Sequence, residues 1–290
     1  MSYANYKFFG HRRVEGYTEA PVFTLLEVLN GLQRQLNISG PVTEVGVHHG
    51  RLFIAMLLLQ RPDEPAVAID LFDEQELNLD QSGKGDLEKF KQHVAHWSDR
   101  AVTIVQGDST QLTAGDVAEI AGTRLFSVDG GHTADIVASD MRLASESLCD
   151  GGIMIADDVF NPQWPDVCVG TLQYMADNDL VPFGIGFNKT LFTQARYAER
   201  YRRALRDRFD GYLFAALDKR FAGYDVVSLV KVPIHPVHLA RRSDALRRSY
   251  HAMLRHADEA KQRVSRRRTA EPRTSRTQQV PQPAQPVPAP

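Results

Sequence analysis

Cysteine is scarce in this chain: Cys149 and Cys168 are the only two among 290 residues. Two thiols are too few for a disulfide framework or a structural zinc site. Cys149, at the end of a helical stretch, reads as a small buried hydrophobe rather than a redox or nucleophilic group. Long apolar runs are lacking too. The longest, residues 52–59 (Leu-Phe-Ile-Ala-Met-Leu-Leu-Leu), is far short of the ~20 residues that a bilayer span needs. The opening Met-Ser-Tyr-Ala-Asn-Tyr-Lys holds no signal-peptide core. Nor is there an excess of charge: 34 Lys and Arg stand against 36 Asp and Glu, so no global field recruits nucleic acid or an anionic membrane. These absences point to a soluble, cytoplasmic protein. With 43% hydrophobic residues, the chain can bury one large domain with appendages.

The most informative stretch is 124–158. Arg124-Leu-Phe-Ser-Val-Asp129-Gly-Gly-His132 and Gly151-Gly-Ile-Met-Ile-Ala-Asp157-Asp158 are apolar runs ending in acids. Between them Ile136, Val137, Asp140, Leu143, Ala144 and Leu148 keep helical spacing. A strand, helix and strand joined by a right-handed crossover put both carboxyl-terminal ends on one sheet edge, where open α/β folds bind ligands. Asp129, Asp157 and Asp158 therefore converge. Three such charges raise one another's pKa unless a cation or strong donors compensate them, and hard oxygen ligands suit Mg²⁺, less exclusively Mn²⁺ or Ca²⁺.

Upstream, Val22, Leu25, Leu26, Leu29, Leu32 and Leu36 mark an amphipathic helix over residues 18–36. Residues 41–50 then read as a strand running into a glycine turn, Glu44-Val-Gly46-Val-His-His-Gly50, before an apolar helix. The spacing differs from the Gly-x-Gly-x-x-Gly of a dinucleotide site, which disfavours a nicotinamide-dependent dehydrogenase. Ala66-Val-Ala-Ile-Asp70 is a second strand ending in an acid, placed where acids take ribose hydroxyls or merely cap a helix. Residues 71–86 are polar with glycines around Lys84 and read as a long loop, a lid over the binding edge. A helix bearing Leu87, Phe90, Val94 and Trp97 follows, then a third strand before Asp108-Ser109, which face a purine or cap the next turn. Residues 181–193 read as two strands around an Asn-Lys turn. Tyr197, Tyr201, Leu205, Phe209 and Tyr212 keep helical spacing, and 226–232 reads as a late strand or edge extension. Residues 241–268 are basic and partly helical, a solvated face. The segment 269–290, with six prolines, reads as disordered. The expected organisation is a helical cap over 1–40, a catalytic domain over 41–195, a helical and basic extension over 196–268, and the tail.

The motifs Glu44-Val-Gly46-Val-His-His-Gly50, Ile69-Asp70, Gly107-Asp108-Ser109, Val128-Asp129-Gly-Gly-His132 and Gly151-Gly-Ile-Met-Ile-Ala-Asp157-Asp158 resemble, in this order, those of class I S-adenosylmethionine-dependent methyltransferases. More narrowly they resemble the small-molecule O-methyltransferases that include the macrocin and mycinamicin sugar methyltransferases, over about residues 18–195. The resemblance implies a Rossmann-like α/β fold with a seven-stranded, mostly parallel sheet of order 3-2-1-4-5-7-6 and an antiparallel terminal hairpin. It implies that Glu44, Gly46 and Gly50 surround the methionine part of S-adenosylmethionine, that Asp70 holds the ribose, and that Asp108 and Ser109 face the adenine. Asp129, Asp157 and Asp158 would ligate Mg²⁺, which would hold the acceptor hydroxyl.

An alcohol is a poor nucleophile at neutral pH, so methyl transfer needs an oriented acceptor and a base. His132 is the candidate base, with a structural hydrogen-bonding histidine as the alternative. His48 and His49 read as cofactor-loop or substrate-wall residues. Phe160, Trp164, Phe183 and Tyr197 are candidates for the acceptor pocket, or for the core. The expected acceptor is a sugar hydroxyl of a glycoside or glycolipid, then a phenol or catechol. Two rival readings are a methyltransferase without a metal and a non-catalytic cofactor-binding scaffold. The apolar faces of the terminal helices point to a homo-oligomer.

Overall fold

The computed structural model describes residues 1–211, 213–232 and 245–256. It divides into two compact units, Met1–Val232 and Pro233–Pro290. In the second, residues 245–256 are helical. Tyr212, most of the basic stretch 241–268 and all of the proline-rich tail lie outside the described residues.

In the first unit, α1 (Tyr3–Phe8) and a 3₁₀ turn (Gly10–Arg13) precede α2 (Ala20–Gln35). Helix α2 has a proline in its first turn and buries Val22, Phe23, Leu25, Leu26 and Leu29, the face expected from the spacing. The chain then alternates: β1 (Val42–Val45), α3 (Arg51–Leu59), β2 (Ala66–Asp70), α4 (Leu87–Trp97), β3 (Thr103–Gln106), β4 (Thr123–Val128), α5 (Ala134–Ser147), β5 (Leu148–Asp157) and α6 (Pro165–Asp177). The central strands β1, β2 and β4 are buried almost throughout because helices cover both faces of the sheet. One face carries the cluster of Tyr6, Phe23, Phe53, Phe90, Trp97 and Tyr201, and the other carries Val137, Met141, Leu143, Val167 and Tyr174. Asp86 starts α4 by accepting the Lys89 N–H at 2.9 Å.

Strands β6 (Leu180–Gly186) and β7 (Lys189–Gln194) form a hairpin through Phe187 and Asn188, both at positive φ (55° and 65°), which is the backbone of a two-residue turn that matches strand twist. Lys189 is thereby the first residue of β7 and sits opposite Asp157 of β5.

The sheet order is β3-β2-β1-β4-β5-β7-β6, as expected, but it continues. After α7 (Ala195–Phe209), β8 (Phe214–Phe221) and β9 (Tyr224–Lys231) form a second hairpin, and β9 pairs in parallel with β6. Among the described residues the sheet has nine strands rather than seven. The cause is apolar pressure on the open edge of β6: Val226, Val227 and Leu229 bury themselves there and against α7, while the polar residues of β8 stay outside. The late strand expected at 226–232 is thus β9.

Candidate active site

The carboxyl-terminal ends of β1 to β5 open into one cleft of about 900 Å³. Glu44, Gly46, Asp70, Asp108, Ser109, Asp129, His132, Asp157 and Asp158 all line it. Gly50 does not; it starts α3 in a left-handed backbone (φ 90°), with the Phe90 ring 3.0 Å from where a Cβ would sit. Gly46 (φ 80°) lies so close to the carbonyl of Asp129 that any side chain would collide with it. That contact brings the ends of β1 and β4 together.

At the cofactor-like end, Asp70 accepts the N–H groups of Phe72 at 2.6 Å and His48 at 2.7 Å. Burial nevertheless raises its pKa, against the pull of those two donors. The Glu44 carboxyl is pushed well up by burial and by the Asp129 carboxylate, and its Oε2 has no hydrogen-bond partner. Asp108 caps a short turn by accepting the N–H and hydroxyl of Thr110 at 2.9 and 2.7 Å, with Ser109 beside it. His48 lines the cleft, whereas His49 is buried behind it, 3.2 Å from Glu15.

The acidic end is more crowded. Asp129, His132 and Asp158 present ligand atoms within 4.8 Å of one another. Asp158 has a left-handed backbone (φ 59°), tolerable for aspartate and often found where a side chain is aimed at a site. Burial works against its ionisation, but hydrogen bonds from His132 (3.2 Å), Asn161 (2.7 Å) and Asn188 outweigh it and hold the carboxyl at about 2. Burial disfavours charge on His132, yet Asp158 and Asp80 raise its pKa.

Asp157, in the same cleft, pairs with a lysine. Lys189, 2% exposed, donates its ammonium to Asp157 and stands 3.6 Å from Asp129. Asp157 Oδ1 also accepts from Asn188 at 3.1 Å and from the Asp158 N–H at 2.9 Å. Burial and Asp129 push the Asp157 carboxyl up against the pull of Lys189. Burial works against the charge on Lys189, but the two carboxylates outweigh it and keep the ammonium protonated. A donor set of two carboxylates and one imidazole fits a divalent cation such as Mg²⁺ or Mn²⁺, formed by Asp129, His132 and Asp158.

Of the four aromatic candidates, Phe160 and Trp164 reach the cleft, and Trp164 stacks on His132 (centroids 4.3 Å apart, 22°). Phe183 is fully buried against Tyr201, and Tyr197 bonds Asp150 at 2.9 Å. Asp80 and Lys189 have no counterpart among the residues singled out from the sequence. Asp80 comes from an irregular loop, and Lys189 is brought in by the β5–β7 register, so neither carries a periodic signal. Both thiols are free and partly buried.

Residues 43–159 match the family profile described as a methyltransferase domain. That segment is similar to a methyltransferase domain. Its five central parallel strands are the ones that build the cleft. The chain shares its fold with the O-methyltransferase NovP, at a TM-score of 0.52 and 14% identity over 61% of this chain and 80% of that one. More distant similarity links it to CalS11, a TDP-rhamnose 3'-O-methyltransferase of calicheamicin biosynthesis (TM-score 0.44, 18% identity, 59% and 79% covered). TomG, an O-methyltransferase from Streptomyces achromogenes solved with its methyl donor, gives a TM-score of 0.43 and 18% identity (62% and 82% covered). Comparison with curated protein sequences found no match. The expected class, a class I methyltransferase with a Rossmann-like sheet, is borne out. Among the described residues no helix is long and apolar enough to cross a membrane.

Proposed function

We propose that this methyltransferase moves the methyl group of S-adenosylmethionine to a hydroxyl of a small molecule, with a sugar of a glycoside or glycolipid as the preferred acceptor and a phenol second. One observation carries this reading. The Gly46 turn and Asp70, which suit a nucleoside cofactor, share a single cleft with the Asp129, His132 and Asp158 cluster, which suits an acceptor hydroxyl. NovP, which shares the fold, is named an O-methyltransferase. Glu44 and Gly46 would surround the methionine part, Asp70 the ribose, and Asp108 with Ser109 the adenine, while Gly50 sets the turn from behind. Asp129 and Asp158 would hold Mg²⁺, with His132 left as the base; Asp157, expected as the third acid, pairs with Lys189. When bound, the cation lowers the pKa of an acceptor hydroxyl. The chain's own residues supply the rest. The acceptor oxygen attacks the methyl carbon as the carbon–sulfur bond breaks, S-adenosylhomocysteine leaves, and the hydroxyl proton passes to a base, for which His132 Nε2 is placed.

A second reading has its own support. The buried Lys189 ammonium already gives Asp157 and Asp129 a resident positive charge, so the cluster stands without a metal. Calorimetric titration of chelator-stripped protein separates the two. S-adenosylmethionine should bind after stripping, Mg²⁺ should bind and be lost in Asp129→Ala, and transfer to a glycoside panel should need Mg²⁺. Transfer that survives chelation favours the Lys189 reading. Failure to bind S-adenosylmethionine under any condition overturns both and favours a non-catalytic scaffold. Residues 41–195 would form the catalytic domain under a 1–40 cap, in the cytoplasm. Exposed Phe8 and Phe9 offer apolar surface for self-association.

A further inference from the structure

The loop between β2 and α4, residues 71–86, reaches across the cleft and takes hold of His132. Asp80 Oδ2 accepts the backbone N–H of His132 at 2.7 Å and stands 2.8 Å from its ring Nδ1. Both side chains are 11% exposed. The other oxygen of Asp80 accepts the N–H and hydroxyl of Ser82 at 2.9 and 2.6 Å, and Ser82 Oγ lies 3.1 Å from the same Nδ1. On the far side of the ring, Nε2 faces Asp158 Oδ2 at 3.2 Å, and one flat face is covered by Trp164.

A carboxylate only accepts hydrogen bonds, and a neutral imidazole carries one N–H. Asp80 stands closer to Nδ1 (2.8 Å) than Asp158 does to Nε2 (3.2 Å), so the neutral ring keeps its hydrogen on Nδ1, while the Nε2 hydrogen, which the protonated ring donates to Asp158, is the one given up. This is the arrangement that a general base needs, and equally the one that an imidazole metal ligand needs, its other nitrogen tied to a carboxylate. We propose that Asp80 is a positioning residue that sets the tautomer and orientation of His132, so that the 71–86 loop must be seated for the site to be complete.

The partner that makes His132 competent therefore comes from the cleft's covering loop and not from the sheet that bears the acids. A loop that lifts away takes the orienting carboxylate with it, and His132 becomes free to rotate or exchange tautomers. A substrate that holds the loop down would restore it, which couples occupancy of the cleft to assembly of the reacting group. The working role of Nε2 rests on the methyl-transfer reading; the tautomer and the loop coupling do not.

The test uses full-length protein labelled with ¹⁵N-histidine, at a pH where the ring is neutral, with the His132 signals assigned by their loss in His132→Gln. Wild type should show the Nδ1–H form. In Asp80→Asn the amide can donate to Nδ1, so the ring should move to the Nε2–H form. Asp80→Glu should return it to Nδ1–H. Amide exchange over residues 78–85 should quicken about tenfold in Asp80→Asn and Asp80→Ala, because a hydrogen bond to a charged group is lost. With an acceptor in hand, kcat in Asp80→Asn should fall about 10–100-fold, the usual range for losing an orienting partner, with little change in the KM for S-adenosylmethionine. The same tautomer in Asp80→Asn as in wild type, or unchanged loop exchange, overturns the proposal. Failure of the methyl-transfer reading would show instead as wild-type protein that does not bind S-adenosylmethionine, and it leaves these spectra untouched.

Discussion

Strand β4 meets a buried charge at each end, and the two ends are balanced differently. At its start Arg124, 1% exposed, is saturated. Its Nε and Nη2 take Glu64 at 2.9–3.0 Å, Nη1 takes Gln33 at 3.0 Å, and Nη2 also reaches the Leu59 carbonyl at 3.2 Å. That knot joins α2, the end of α3 and the approach to β2, with charge matched to charge. One residue past the other end of β4, Asp129 enters a group with more acids than bases: Asp129, Asp157, Asp158 and Glu44 around the ammonium of Lys189 and the imidazole of His132. Groups that only hold a fold together are balanced, as at Arg124. An unbalanced group persists where something else, here a ligand or a reaction, is to complete it.

Substitution at the two ends should therefore give opposite phenotypes. Asp129→Asn should lower methyl transfer by roughly 10²–10⁴-fold, the scale of losing acid–base or electrostatic assistance. It should leave the unfolding midpoint unchanged or slightly higher, since it relieves like-charge repulsion and Lys189 keeps Asp157. Labelled-methyl transfer and calorimetry check the two halves. A fall in stability with activity intact would remove the contrast.

Glu64→Ala should do the reverse. It strands a buried guanidinium, at a cost of about 3–5 kcal/mol, and leaves turnover unchanged at temperatures where the protein is folded. The pH dependence has a definite sign. Burial resists ionisation of Glu64, but the hydrogen bonds and charge of Arg124 and the N–H groups of Arg61 and Gly40 outweigh it, so its pKa lies below the ordinary range. The stabilisation is fully present above the unfolded value of about 4.3 and is lost as pH falls through the lower folded value. Denaturant midpoints between pH 6 and pH 3 should fall in wild type and lose this slope in Glu64→Gln.

Asp140 sharpens the comparison from between the two ends. It lies on the buried face of α5 with one oxygen close to Gly130, and burial, against the pull of the Ser109 hydroxyl, pushes its pKa up to about 7. The folded chain keeps a proton that the unfolded chain releases near 3.9. Stability contributed by that proton is full at low pH, declines as pH rises toward about 7, and the whole loss is a few kcal/mol. Asp140→Asn should flatten this decline and be the more stable protein at pH 8, as read from unfolding curves across that range.

How much of this was visible in the sequence follows from where each residue sits on its element. The strand-end acids Asp70, Asp129, Asp157 and Asp158 were legible because in a parallel sheet the end of a strand in sequence is the ligand edge in space. Asp140 fell on the apolar stripe of α5, so its burial was legible too. Lys189 was not, since its place opposite Asp157 depends on the register of an antiparallel strand 32 residues away. Asp80 reaches its partner across 52 residues from an irregular loop. The β8–β9 hairpin was half hidden, with the apolar residues of β9 legible and those of β8 masked by Asp218, Lys219 and Arg220. The Gly46 and Gly50 turn was legible as a turn, but only the contact with Asp129 and the crowding by Phe90 separate the glycine that lines the cleft from the one that stands behind it.

The smallest effect is expected at Trp164, which touches the unbalanced end without carrying charge. Its indole stacks on His132 at the start of α6 and lines the cleft. Trp164→Ala should remove about 1 kcal/mol of ring–ring contact, roughly a 5-fold loss in kcat/KM if that contact helps to hold the imidazole in its working orientation. Trp164→Phe keeps a ring and should recover most of the loss. If both variants instead destabilise the fold equally and leave kcat/KM alone, Trp164 belongs with Arg124 among the groups that hold the sheet, and the boundary between the two ends of β4 must be drawn closer to Asp129 itself.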